Sequence, residues 1–507
     1  MPVEVQAIQQ AYKYALDPTP RQARMLASHA GGARFAYNWG NARIIEALDA
    51  RGEEKENLGE AKTKVPSHFD LCKEWTAWKD QHADDPEPAE GERRTNTAWV
   101  AENFVGSYQA ALRDAAKAWS DFFKSAQGKR KGRRLGRPRF KKRGRARDSF
   151  QVHGGTLRVI GADGDALGFR ARHADVGSTR YMVILPKIGP VFLHESARKL
   201  RRRVDKGLAR IVRGTVSRDS DGRWHIAITV ELQREIRTGP SKRQRAGGVV
   251  GIDFGVRDIA TLSDGSTVPN PRHLEQLLGR LARAQRPVAR RKDGSQKRRK
   301  AVALVGKLHA RAKHLRLDAL HKATSQLVQS RAVIAVEGFD VQETARYRHR
   351  GKIDRRKASA SQKVPAAVRR NRNRALADTG IGIARWQLQS KGAWYGSQVL
   401  VMDKHAPTGR TCSACGTAKA KPVPPADEMF TCEACGVQLP RRVNTARSLE
   451  LRARAAVHDV APSTGETLNA RGGDVRPAAA RRGGRPPSKR EASTRPPGRG
   501  EPGSPGG

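Results

Sequence analysis

Four cysteines constrain this chain more than any other feature. Cys412-Ser413-Ala414-Cys415 and Cys432-Glu433-Ala434-Cys435 form a C-x2-C-x16-C-x2-C pattern. Each pair can grip one ion from a tight turn, and four thiolates complete a tetrahedron. Gly416 and Gly436 follow the two pairs directly, where such a knuckle needs open backbone angles. The pattern predicts a structural zinc ribbon with Cys412, Cys415, Cys432 and Cys435 as ligands. With every coordination position filled, Zn²⁺ would organise the fold rather than do chemistry. Cys72 is left over and reads as an ordinary buried or partly buried thiol, and five cysteines in 507 residues do not make a disulfide scaffold.

The charge balance points to the partner. Lys and Arg number 98 against 50 Asp and Glu, a formal net charge of +48. Such an excess calls for a polyanion, and nucleic acid is the default. A GC-rich genome that favours Arg codons accounts for part of the arginine, but not for the shortage of acids. No apolar run approaches the ~18 residues a spanning helix needs, so no membrane partner is expected. The start, MPVEVQAIQQAYKYAL, has no apolar stretch after a basic end, so a secretory signal is not expected and the reading is cytoplasmic.

The pattern along the chain is mixed α and β. Residues 11–16 alternate as a strand, and Thr19-Pro20 reads as an N-cap with proline at the first helical position. The polar stretch from about 50 to 96 reads as mobile or inserted structure. An amphipathic helix then carries Trp99, Phe104, Tyr108, Leu112, Trp119, Phe122 and Phe123, a spacing that predicts a core stripe rather than a stacking platform. Residues 128–147, GKRKGRRLGRPRFKKRGRAR, form a basic loop suited to tracking phosphates. Trp224–Val230 is a strand after the Asp221-Gly222 turn.

From residue 248 the character changes. VVGIDFGVRDIATLSDG reads as a buried strand running into a hairpin, and residues 272–330 are helical. Ala332–Val336 is a second buried strand ending in Glu337, and Ser397–Met402 a third. Residues 341–380 are basic and polar, and from about 460 onward Pro, Gly, Arg and Ser predict disorder. Asp253 lies within one apolar strand and Glu337 closes another. An acid so placed is exceptional unless it is paired or binds a cation. Two carboxylates from adjacent strands can hold Mg²⁺, and metal-assisted phosphodiester hydrolysis is the matching chemistry. Each taken alone also reads as a solvent-facing strand end.

The order of these features resembles the TnpB proteins of insertion sequences, relatives of type V CRISPR effectors. The likeness rests on AYKYALDPTPRQ, GRPRFKKR, GIDFGVRDIATLSDG, LDALHK, IAVEGF, the TCSACG…TCEACG ribbon, RRVNTARS and DVRP, and covers most of the chain. It implies an α+β multi-domain protein. Residues 1–247 would form an N-terminal β-barrel-like recognition region with a helical insertion at about 20–125. An RNase H-like (RuvC) α/β domain would occupy 248–404 and 438–459, interrupted by the zinc ribbon at 405–437 and followed by a disordered basic tail at 460–507. It also implies a guide RNA and a double-stranded DNA target as partners, with base pairing supplying specificity.

The resemblance places Asp253 as the first catalytic acid and Glu337 as the second. The third belongs in a D-R-D-x-N-A-A motif, which here reads Pro440-Arg441-Arg442-Val443-Asn444-Thr445-Ala446. Both aspartates are missing, and Arg442 occupies the third carboxylate position. Arginine there opposes a second metal, is expected to pair with Asp253 or Glu337, and predicts weak or absent cleavage by a DNA-binding protein. An active Mg²⁺ endonuclease with a rearranged site and an inactive transposon remnant are the alternatives. Glu450, Asp403, Asp258 and Asp264 are the acids available for rescue, and none is convincing as a third ligand.

Overall fold

The computed structural model describes residues 3–85, 97–130, 132, 134–161, 181–338, 366–403, 406–420, 423 and 427–458. The expected tail at 460–507 and residues 341–365 lie outside them.

The N-terminal half is built on one long strand. β1 (Val3–Asp17) pairs antiparallel with β7 (Trp224–Arg237) from Val3 to Ala15, and reaches β5 (Gly189–Leu193) only through Leu16 and Asp17. The sheet order is β2-β6-β7-β1-β5-β4-β3, with β2 at Ser149–His153, β3 at Arg158–Ile160, β4 at Met182–Leu185 and β6 at Ala209–Arg218. Among the described residues β2 and β3 are unjoined edges, so the barrel-like expectation is met there only by an open sheet. The reason lies in the register: β1 commits most of its length to β7, leaving the β3–β4–β5 group attached at its end.

Two helices pack against this sheet and a third packs on them. α1 (Pro20–Leu58) starts where the Thr19-Pro20 signal places it, with Thr19 and Gln22 forming a reciprocal capping box. Residues 50–85, part of the stretch read as mobile or inserted structure, carry the end of α1 and all of α2 (His68–Gln81), whose Leu71 and Trp75 are buried. The polar composition concealed a helix that buries only a narrow stripe. α3 (Val105–Ala126) buries Tyr108, Leu112 and Trp119, and Trp119 Nε1 donates to the buried Asn41 Oδ1 at 2.8 Å. Trp99 precedes that helix, in a short 3₁₀ turn at Ala98–Glu102. The basic loop is pinned to α1. Asn38 Nδ2 donates to the Lys141 carbonyl and Asn38 Oδ1 accepts from the Lys141 N–H, while the Lys141 ammonium sits 3.6 Å from the Tyr37 ring centroid. Arg137, Arg139, Lys142 and Arg143 on that loop remain exposed.

After α4 (Arg198–Asp205) and the short linker helix α5 (Lys242–Gly247), the second sheet begins. It runs β10-β9-β8-β11-β12, with β8 at Val249–Phe254, β9 at Asp258–Leu262, β10 at Thr267–Pro269, β11 at Val333–Glu337 and β12 at Gln398–Met402. β8, β9 and β10 pair antiparallel, and β11 and β12 continue the sheet parallel to β8. The crossovers are helical: α6 (His273–Arg290) and α7 (Gln296–Ser330) precede β11, and α8 (Ala366–Thr379) and α9 (Ile381–Tyr395) precede β12. Val250, Ile252, Ile334 and Val336 form one core with Leu327 of α7 and Leu388 of α9. Gln244 of α5 donates to the Val328 and Tyr395 carbonyls, which fastens the linker to α7 and α9.

Lys391 of α9 is buried and, among the described residues, has only neutral acceptors: the His321 carbonyl, Thr324 Oγ1 and Ser325 Oγ, all within 2.8 Å. Burial pulls its pKa down to about 8. Between about pH 8 and the ordinary lysine value of ~10.4 the unfolded chain therefore binds more protons than the folded one, and stability rises with pH across that window. Lys391→Met is expected to remove this rise and to raise stability at pH 7 by about 1–2 kcal/mol, a gain reduced by the lost hydrogen bonds. Denaturant melts of both proteins at pH 7 and pH 10 check it. The difference should shrink at the higher pH.

Candidate functional site

The second sheet has two faces, set by the period-2 alternation of strands. Val250 and Ile252 point to the α7–α9 core, so Gly251 and Asp253 point the other way. On β11, Ala335 and Glu337 share that opposite face. It is covered by α10 (Arg441–His458), whose Leu449 and Ala453 pack with Val333 and Ala335. Val336 is in register with Ile252, which brings Glu337 and Asp253 to the same level at the strand ends.

α10 lies directly on β8. A Cβ added at Gly251 would fall 1.9 Å from the Ala446 carbonyl oxygen and 2.7 Å from the Glu450 nitrogen. Both neighbours are backbone and cannot move aside. Gly251→Ala is expected to destabilise the fold by about 2–3 kcal/mol by prying α10 off the sheet, measured as a loss in denaturant midpoint.

The site residues then come together at the N-terminal end of α10. Arg442 Nη1 lies 4.0 Å from Asp253 Oδ2, an ion pair too long to be a hydrogen bond. The guanidinium sits over the bare backbone of Gly255, where an added Cβ would fall 1.6–2.1 Å from its atoms. Its Nη1 is buried and donates no hydrogen bond. Burial pushes the Asp253 carboxyl up to about 6; Arg442 and Arg441 pull it down and Glu337 pushes it further up. Burial also raises Glu337, against the Thr408 hydroxyl, which donates to Glu337 Oε1 at 3.4 Å.

The remaining acids have other places or partners. Glu450 Oε1 accepts two hydrogen bonds from Arg454, at 2.9 and 2.7 Å. Asp264 is held by Ser266 and by Arg331. Asp258 opens β9, and Asp403 follows β12. Asp403 lies one residue past Met402, the register partner of Glu337, while the donor set around Asp253 among the described residues is Glu337 with the Arg442 guanidinium. That set does not fit a pair of divalent ions, which needs a third anionic ligand where Arg442 stands.

The four cysteines converge independently. Their Sγ atoms all lie within 4.8 Å of one another, with Cys412–Cys435 at 3.7 Å and Cys415–Cys432 at 3.6 Å. A tetrahedron with Zn–S bonds of 2.3 Å has S–S edges of about 3.8 Å, so the donor set can hold a metal such as zinc. The two knuckles repeat one geometry: Gly416 and Gly436 have φ of 77° and 71°, and each donates its N–H to the carbonyl of the first cysteine of its pair. β13 (Met429–Thr431) and β14 (Gln438–Pro440) close the module and lead straight into α10.

Asn444 joins the module to the site. It is fully buried; its Oδ1 accepts from the Ser413 N–H and its Nδ2 donates to the Thr411 carbonyl, both at 2.8 Å. Ser448 Oγ donates to the same carbonyl. Sequence reasoning assigned no role to Asn444, Thr408 or Gly255. An asparagine among Val443, Thr445 and Ala446 in the first turn of a helix was the available signal, because such a side chain competes with the backbone unless something else holds it.

The geometry defines a mixed α/β multi-domain protein with a four-cysteine module able to hold a metal, joined through Asn444 to the helix that carries Arg442. Family models match three stretches: one described as a probable transposase of the OrfB IS605 type over residues 227–348, a helix-turn-helix domain of the same type over 7–53, and a Cas12f1-like TNB domain over 383–449. In this chain residues 20–53 of the second stretch belong to one unbroken helix, Pro20–Leu58. A Mycobacterium tuberculosis protein named as a candidate RNA-guided DNA endonuclease is 31% identical over 87% of this chain and 85% of its own length. The Escherichia coli protein InsQ, named for the same activity, is 27% identical over 87% and 91%. The chain belongs to the TnpB family. A solved Cas12f1–sgRNA–target DNA complex aligns over 88% of this chain and 99% of that one at 12% identity, with a TM-score of 0.39. At that score the likeness is too shallow to inform the site. Among the described residues, no helix is long and apolar enough to cross a membrane.

Proposed function

We propose that this chain is an RNA-guided DNA-binding protein of the TnpB type that holds its target with weak or absent cleavage. The observation that carries the reading is the Arg442 guanidinium, 4.0 Å from Asp253 in the position the family resemblance gives to a third acid. A carboxylate ~4 Å from a divalent ion contributes about 8 kcal/mol of attraction at an effective dielectric near 20, an illustrative figure. Arginine inverts that sign, and a single ion lacks the two-metal clamp that stabilises the attacking and the leaving oxygen together.

Residues 248–404 and 438–459 serve in this reading as the RuvC-like nuclease-type domain, with Asp253 and Glu337 as its surviving acids. The order β10-β9-β8-β11-β12, three strands antiparallel and two parallel, supports that assignment. Cys412, Cys415, Cys432 and Cys435 hold structural zinc. Any Mg²⁺ at Asp253 and Glu337 is a single weak ion. Residues 1–247, with the exposed arginines of the pinned loop, form the recognition region for guide RNA and target duplex. Binding needs charge and shape, and neither depends on the third acid. Occupied DNA would then block transcription.

The test is DNA binding by the full chain assembled with RNA from its own locus, using matched and scrambled guides in moderate salt. Matched guides should tighten binding roughly 10³-fold. Equal binding with either guide contradicts the reading.

A further inference from the structure

Arg442 is not fully accounted for by opposing a metal. A guanidinium carries five N–H donors in a fixed fork. Here the nearest carboxylate oxygen is beyond hydrogen-bond reach at 4.0 Å, and the enclosed Nη1 donates to nothing. The side chain is 29% exposed, so part of the fork reaches solvent beside Asp253 at the end of β8. Its place over the Gly255 backbone is kept clear by the absence of a Cβ there. Arg441 adds a second cation close enough to act on Asp253. Two cations now face two carboxylates, so a site that would be strongly anionic with a third acid is close to neutral. Such a locus no longer repels phosphate, and a fork with unused donors is suited to binding it bidentately.

We propose that Arg442 is a phosphodiester seat. Its guanidinium, held over Gly255, takes the backbone phosphate of a DNA single strand laid along the β8–β11 strand ends, and does so without metal. The proposal deepens the reading above and rests on it. The cleft that would have cut the strand then retains it.

The experiment measures dissociation of single-strand-containing target DNA from the RNA-loaded full chain in EDTA, across a range of salt, for three proteins. Arg442→Gln removes the fork. Gly255→Ala keeps the charge but puts a methyl where the guanidinium lies, and the end of a flexible side chain can move away without unfolding the protein. Zinc content and melting temperature serve as folding controls. Both variants should release DNA about five- to tenfold faster, and the salt dependence of affinity should become shallower by about 0.7, the loss of one single-strand phosphate contact. Unchanged rates and slopes in both overturn the seat, and guided binding would stand. An effect of Arg442→Gln without one of Gly255→Ala assigns the change to net charge and also overturns it. Equal retention with matched and scrambled guides contradicts the guided reading instead, and the variants are then compared on whatever DNA the protein retains.

Discussion

Arg442→Asp is expected to turn a silent site into a cutting one. In Mg²⁺, with RNA from its own locus, the variant should cleave a matched plasmid roughly 100-fold faster than the native chain, about 2.7 kcal/mol in the barrier. The gain comes from three changes at one position. A guanidinium 4.0 Å from Asp253 disappears. A carboxylate joins Asp253 and Glu337 on the face beneath α10. A negative charge also enters a helix first turn that now holds no acid, which the macrodipole favours by about 0.3–1 kcal/mol. Aspartate is smaller than the arginine whose guanidinium now fills the space over Gly255, so the exchange does not overpack the site. Arg442→Ala is the informative control, because it removes the opposing charge without supplying a ligand and should gain far less. Adding Asp253→Asn to the Asp variant should abolish the gain. An Asp variant that binds but stays silent places the defect outside Arg442, with Pro440 and Arg441 the next positions in question.

The second large effect concerns the metal module. Cys412→Ser or Cys432→Ser, or treatment with a strong chelator, should abolish bound zinc and expose residues 406–440 to proteolysis while the N-terminal sheet stays protected. Structural zinc contributes on the order of 10 kcal/mol to folding isolated modules of this kind. Here the consequence spreads further than the ribbon, because Asn444 is held by Thr411 and Ser413 on either side of Cys412. Losing the first knuckle leaves a fully buried amide without its partners, two residues after Arg442. The first turn of α10 should loosen, and cleavage gained by Arg442→Asp should be lost when Cys432→Ser is added. Limited proteolysis with zinc quantified by metal analysis checks the first part. An unchanged cleavage pattern after complete zinc removal would contradict it.

How much of this was legible in the sequence depended on how local each signal was. The cysteine spacing encodes two identical knuckles, and the structure brings all four sulfurs together as that spacing requires. Thr19-Pro20 encodes a cap within four residues, and α1 begins there. The apolar runs around Asp253 and Glu337 predict buried strands, and the structure forms them as β8 and β11, paired in parallel. Long-range features were less visible. Sheet closure depends on how β1 divides its register between β7 and β5, which no local pattern states. The helix α2 was concealed because it buries only Leu71 and Trp75 within a polar composition. Asn444 and Thr408 act across more than thirty and seventy positions of sequence, respectively, so their partners could not be read from their neighbours. The resemblance located Arg442 at the third acid position. Only the fold placed its guanidinium over Gly255.

The most direct test of the central claim is one plasmid experiment on the native chain. The full protein, assembled with RNA from its own locus, is incubated with matched supercoiled plasmid in Mg²⁺, and binding and strand integrity are read from the same reaction. The account predicts a guide-dependent complex on plasmid that stays supercoiled. Guide-dependent linear product at a rate ordinary for a working nuclease would contradict it, and would require a third metal ligand from another part of the chain.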